Sequence, residues 1–180
     1  MHAAVFLWAF AEATFFPLPP EILLVPLIVC APDGWFPLVV ASLAGSLAGG
    51  AVGFSFARLR PERARTLLVR IPGVAPGMVT KAERWIGRQG VGAVAFSAWT
   101  GVPYKIFAVL SGAAEHAWVP FIGASVLARG LRVVALGWGA HMVGTHWGEP
   151  IRRQGLLFGL IYVGLVAAGY WFNQRVHRAG

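Results

Sequence analysis

Five ionisable side chains stand in stretches otherwise apolar enough for a membrane interior: Glu12, Glu21, Lys105, Arg129 and Arg132. At membrane depth an unpaired charge facing lipid costs several kcal/mol, from about 2.5 kcal/mol upward, so these groups are expected to converge. Arg129 and Arg132 are neighbours on one helix face. Three cations against two acids can grip a phosphate through bidentate arginine contacts, and an acid in such company can carry a coupled proton. The competing reading is a buried ion-pair cluster that only fixes the fold.

Bond-making chemistry finds no support in the residue pattern. There is no Gly-x-Ser-x-Gly elbow, and Asp33 is the only aspartate, placed at a surface turn. The histidines His2, His116, His141, His146 and His177 are scattered, with His141 expected as a packing residue in a span. No catalytic residue, metal site or cofactor is therefore expected. Cys30 is the single cysteine, so no intrachain disulfide can form.

The elements that must position the five charges begin with Phe15 to Leu27, FFPLPPEILLVPL. Pro17, Pro19, Pro20 and Pro26 each remove a backbone donor and collide with the preceding turn. Backbone freed in this way cannot face lipid and must be buried in protein or line a wet cavity. Residues 3–30 therefore read as a broken, re-entrant hairpin with Glu21 at its tip. Residues 91–114 repeat the pattern around Pro103, in SAWTGVPYKIFAVLSG.

Composition sets the class. The chain has 180 residues, is 57% apolar and 12% charged, against roughly 25% charged in soluble domains. An all-α integral membrane protein of one domain, residues 1–180, is expected. Eight of the fifteen basic residues (Arg58, Arg60, Arg63, Arg65, Arg70, Lys81, Arg84, Arg88) fall in residues 58–90, which reads as a cytoplasmic connector. Membrane lipids, not nucleic acid, are the partners this charge implies. Lys81 to Gln89 reads as an amphipathic helix with Trp85 and Ile86 at the membrane interface.

Helices are expected at 35–57 and 118–143, then a polar turn with Glu149, Pro150, Arg152 and Arg153, then a last span at 155–173. Gly45, Gly49 and Gly53 share one face of the first, a stripe that admits another helix closely. Trp35, Trp85, Trp118, Trp147 and Trp171 fit an interfacial belt, while Trp99 is expected to pack inside the cavity.

A shift of 83 positions lays one half on the other: Pro20 on Pro103, Trp35 on Trp118, Pro37 on Pro120, Ala41 on Ala124 and Ser42 on Ser125. This points to duplication, with residues 3–57 and 91–143 as repeats. A cytoplasmic connector makes the two halves run in opposite senses, the arrangement that places a transport site at the bilayer midplane. Arg152 and Arg153 then fall on the outer side, against the usual charge bias.

The order of these segments resembles the DedA family of bacterial inner-membrane proteins, the VTT-domain or SNARE-associated-Golgi-protein-like group, and its short YqaA-like branch most. The resemblance is carried by FAEATFFPLPPEILLVPLI at Phe10 to Ile28, GSLAGGAVG at Gly45 to Gly53, SAWTGVPYKIFAVLSG, and ASVLARGLRVVALG at Ala124 to Gly137. It covers residues 5 to 145. It implies two oppositely oriented re-entrant hairpins and movement of a lipid-like molecule across the bilayer. In family terms that means proton-driven recycling of undecaprenyl phosphate or, in eukaryotic relatives, phospholipid scrambling. The family's acids before and after the first proline motif match Glu12 and Glu21. Of its two arginines around the second, the later is matched by Lys105 and the earlier falls on Trp99, a departure that removes a guanidinium fork. A flippase for an anionic lipid, coupled to protons, is the function expected. A passive scramblase and a structural envelope protein are the alternatives, and a homo-oligomer is open.

Overall fold

The computed structural model describes residues 1–153 together with 161, 162, 164, 165 and 168. Most of the span expected at 155–173, and Trp171 with it, lies outside the described residues. The described chain is helical: α1 His2–Thr14, α2 Glu21–Cys30, α3 Trp35–Leu59, α4 Pro61–Leu68, α5 Pro76–Gln89, α6 Gly92–Ala95, α7 Tyr104–Ala113 and α8 Trp118–Arg153.

Proline sets most of these boundaries. Pro17, Pro19 and Pro20 stop α1 from continuing and Pro20 caps α2, while Pro103 caps α7. Pro37 and Pro120 sit in the first turns of α3 and α8, and Pro61 and Pro76 open α4 and α5. In a first turn the missing N–H would have had no partner anyway. Pro26 behaves differently from expectation, for it is carried inside α2. Only the segment 15–20 interrupts the helical run between residues 2 and 30.

Close approaches fix how the helices run. Gly45 lies against the Phe6 backbone and Gly49 against that of Phe10, so α1 runs beside α3 in the same direction. A side chain at either glycine would fall on a carbonyl oxygen of α1, which is why the stripe is glycine. Gly53 is not part of this seam and has Val109 nearby instead. Along α7, Tyr104 abuts Gly50 and Gly112 lies under the Phe54 carbonyl, again in the direction of α3. Helix α8 runs the other way, since Arg129 meets Ser46 while Gly137 meets Val39. Helix α2 follows α8, with Glu21 near Arg132 and Val29 against Gly144. The chain direction therefore reverses between α1 and α2, and α2 and α7 run oppositely.

Element boundaries keep the offset of the sequence repeat. Helices α2 and α7 start at 21 and 104 and end at 30 and 113, while α3 and α8 start at 35 and 118. The first limbs differ: α1 is one helix, whereas the second half has only α6 and a 3-10 turn at Ser97–Trp99.

Among the described residues, two segments are long and apolar enough to cross a membrane: Pro32–Leu59 with mean hydropathy 1.7, and Trp118–Trp147 with 1.6. Each turns one face to the protein and a second, apolar face outward, the latter including Val52, Phe56, Leu127 and Leu131. Inside, Phe54 stacks on Phe121 at 4.3 Å, beside Phe107 and Met78. A second cluster joins Val5, Leu24, Ile28, Leu38 and Val133.

Three further expectations are corrected. Trp99 is 66% exposed and does not pack inside, because the 3-10 turn that carries it rotates it outward. Ile86 does not face an interface: with Met78 and Ala82 it forms the buried stripe of α5, packed on the core that α7 contributes to. No turn interrupts residues 149–153, since α8 continues to Arg153.

Candidate functional site

The charged groups come from α1, α2, α7 and α8, and α3 supplies a hydroxyl between them. Glu12 is near the end of α1, two residues before Thr14, whose hydroxyl bonds back to the Phe10 and Ala11 carbonyls at 3.0 Å and closes the helix. Glu21 is the first residue of α2, where the positive end of the helix dipole favours a carboxylate. Lys105 stands in the first turn of α7, and on α8 Arg129 is buried while Arg132 is exposed.

Arg129 is locked. Its Nη2 donates to Glu12 Oε2 at 2.6 Å and to Ser46 Oγ at 2.8 Å, and its guanidinium lies 5.2 Å from the Tyr104 ring centre. The Tyr104 hydroxyl is turned away from it, donating to Ser125 Oγ at 2.9 Å. Glu12 and Arg129 are both more than nine-tenths buried. Contacts from α1, α3 and α7 thus hold one side chain of α8. Removing either member of such a pair strands a buried charge, at a cost of roughly 3–5 kcal/mol.

Arg132 is held far less firmly. Its Nε lies 3.1 Å from Glu21 Oε1, with 41% of the Arg132 side chain exposed and 8% of that of Glu21. The contact is one of charge, since neither Glu21 oxygen has a hydrogen-bond partner among the described residues. The Glu21 backbone carbonyl, by contrast, accepts a bond from the Tyr162 hydroxyl at 2.6 Å. The carboxylate is therefore positioned by its backbone and left under-satisfied at its oxygens, which a native structure seldom tolerates without use.

Lys105 is 3% exposed, and its Nζ donates to the Phe16 carbonyl at 2.6 Å. That carbonyl is one of those freed by the break after α1. A lysine of the second half thereby satisfies backbone of the first.

All five expected residues are thus placed in one region, joined through two acid–arginine pairs and one lysine–carbonyl bond. Ser46, Tyr104, Ser125 and Tyr162 complete it without having been singled out. Ser125 did carry a signal, as the partner of Ser42 in the repeat, and both are fully buried. Ser46 stands 83 positions before Arg129, so the two bonded residues occupy matching places in the halves. His141 lies outside this region, with Nδ1 3.0 Å from the Pro32 carbonyl and its ring packed on Trp35. Among the described residues no group of His, Cys, Asp or Glu is arranged to hold a metal ion.

Comparison with known proteins yields distant relatives. The chain is 25% identical over 167 residues to an uncharacterized protein of Haemophilus influenzae, covering 93% of this chain and 86% of the relative. It is 25% identical over 151 residues to an uncharacterized protein of Histophilus somni, described as an HI0703 homolog, covering 81% and 75%. No family profile matches the chain, and no solved structure matches it.

Proposed function

We propose that this chain is a bacterial inner-membrane transporter of the DedA/VTT type that flips an anionic, lipid-like substrate, with undecaprenyl phosphate the first to test. The segments around 15–20 and 96–103 are then the tips of two oppositely oriented re-entrant hairpins. The reversal between α1 and α2, the shared 83-residue offset and the outward apolar faces of α3 and α8 support this topology.

The observation that carries the functional reading is the unequal state of the two acid–arginine pairs. Arg129 is bonded through Nη2 to Glu12 and Ser46, whereas the Arg132 side chain is 41% exposed and opposed by a carboxylate with no hydrogen-bond partner among the described residues. A phosphate can replace Glu21 on Arg132 if Glu21 takes up a proton, and release of the anion restores the pair when that proton leaves. Proton and anion then share one site and travel together. Charge-assisted bonds of this kind are roughly twice as strong as neutral ones and offset part of the cost of dehydrating a headgroup.

Reconstitution into liposomes with a fluorescent lipid phosphate tests the proposal. Flipping should accelerate when a proton gradient is imposed and should collapse in Glu21→Gln and Arg132→Gln at normal protein yield. Equal rates with and without the gradient would point to a passive scramblase. Unchanged rates in both variants would reject the assignment.

A further inference from the structure

A cavity of about 690 Å³ opens beside the break that follows α1. Its wall includes Phe15 and Phe16 of the break, Val52 and Phe56 of α3, Leu67 of α4 and Val109 of α7. Thr14 also lines it, but its hydroxyl is already spent on α1 carbonyls. Arg70 is the only charged residue in the lining; it is exposed, and among the described residues no carboxylate pairs with it.

This chemistry selects an occupant. The size lies within the roughly 300–1,000 Å³ of ligand pockets. A peptide would bring backbone donors and acceptors that this wall cannot satisfy, at a cost of about 1–3 kcal/mol each. A hydrocarbon chain brings none, and the unopposed guanidinium of Arg70 complements an anionic headgroup. Phe16 belongs both to this wall and to the charged region, because its carbonyl accepts the Lys105 bond.

We propose that the cavity holds a hydrocarbon chain of an anionic membrane lipid, with Arg70 on its headgroup, as a loading position beside the charged region. The inference rests on the lipid reading given above. A chain seated there lies against the backbone segment that Lys105 holds, so loading and the charged region are mechanically joined.

The test uses the purified full chain in a fluorinated surfactant, with radiolabelled dodecyl phosphate and dodecanol as probes. Val52→Trp, from an exposed wall position, should weaken both probes at least tenfold. Gly53→Leu, on the same wall, should do the same if the first variant misfolds. Arg70→Gln should weaken dodecyl phosphate about fivefold and leave dodecanol unchanged. Undiminished binding in the folded wall variants, or equal responses of the two probes to Arg70→Gln, would overturn the site. Glu21→Gln should bind dodecanol, which carries no charge for Arg132, like the wild type while failing to flip lipid. Binding without flipping in the wild type would remove the transport reading and leave the cavity site standing. Flipping with no cavity binding would remove the site alone.

Discussion

Glu12 and Glu21 are both buried acids facing an arginine, yet their surroundings assign them different work. Glu12 has a short hydrogen-bonded pair with a buried guanidinium, so Glu12→Gln strands Arg129 and should cost about 3–5 kcal/mol. Unfolding in mild detergent would read this as a lower melting temperature. Arg132 can reach the surroundings when Glu21 is neutralised, so Glu21→Gln should shift the melting temperature little while abolishing transport. The identity of all five charged residues was legible in the sequence, because charge in an apolar stretch is costly wherever it falls. Their pairing was not legible, since it depends on which helices lie side by side. Arg129 and Arg132 share a helix face but meet different acids on different helices. Trp99 was misplaced for a related reason. Its place within the second hairpin sets it apart from the interfacial belt but does not reveal that a 3-10 turn carries it to the outside.

Helix α3 is the element on which the packing depends, and its glycines are not equivalent. A Cβ at Gly45 falls on the Phe6 carbonyl oxygen, and α1 must move away to admit it. Gly45→Ala should therefore cost about 1–3 kcal/mol, the usual penalty of overpacking, and should displace Glu12 from Arg129. A Cβ at Gly53 meets only Val109 at 3.6 Å, so Gly53→Ala should be nearly neutral. Denaturant titration of both variants checks the contrast. The stripe itself was plain from spacing, but only the register of α1 separates the two tight positions from the open one. Helix α5 teaches the reverse lesson. Its amphipathic pattern was visible, but periodicity does not reveal whether an apolar face meets lipid or protein, and here it meets the core.

For the whole molecule, the proposed arrangement requires the α3–α4 junction and the start of α8 to lie on the same side. In a Cys30→Ser background, Arg65→Cys and Glu115→Cys should both react with an impermeant maleimide only after cells are opened. Cysteine at Asp33, before α3, should react in intact spheroplasts. Labelling of all three positions from outside would defeat the topology. The repeat was legible because five residue types survive at a constant offset, and both ends of α2 and α7 and the starts of α3 and α8 keep that offset. The divergence of the first limbs was hidden, since helical propensity alone does not separate α1 from the broken α6 region.

The bond between Arg129 and Ser46 has a historical implication. Residues separated by the repeat offset touch one another, so any twofold axis relating the halves would pass beside them. If both halves descend from one self-pairing unit, that ancestor placed two copies of the same residue there. Twin arginines would have repelled each other in a dehydrated interior with a single niche for them. The present guanidinium then became possible only once fusion had let the two copies evolve separately, and the asymmetry of the charged centre is a product of that joining.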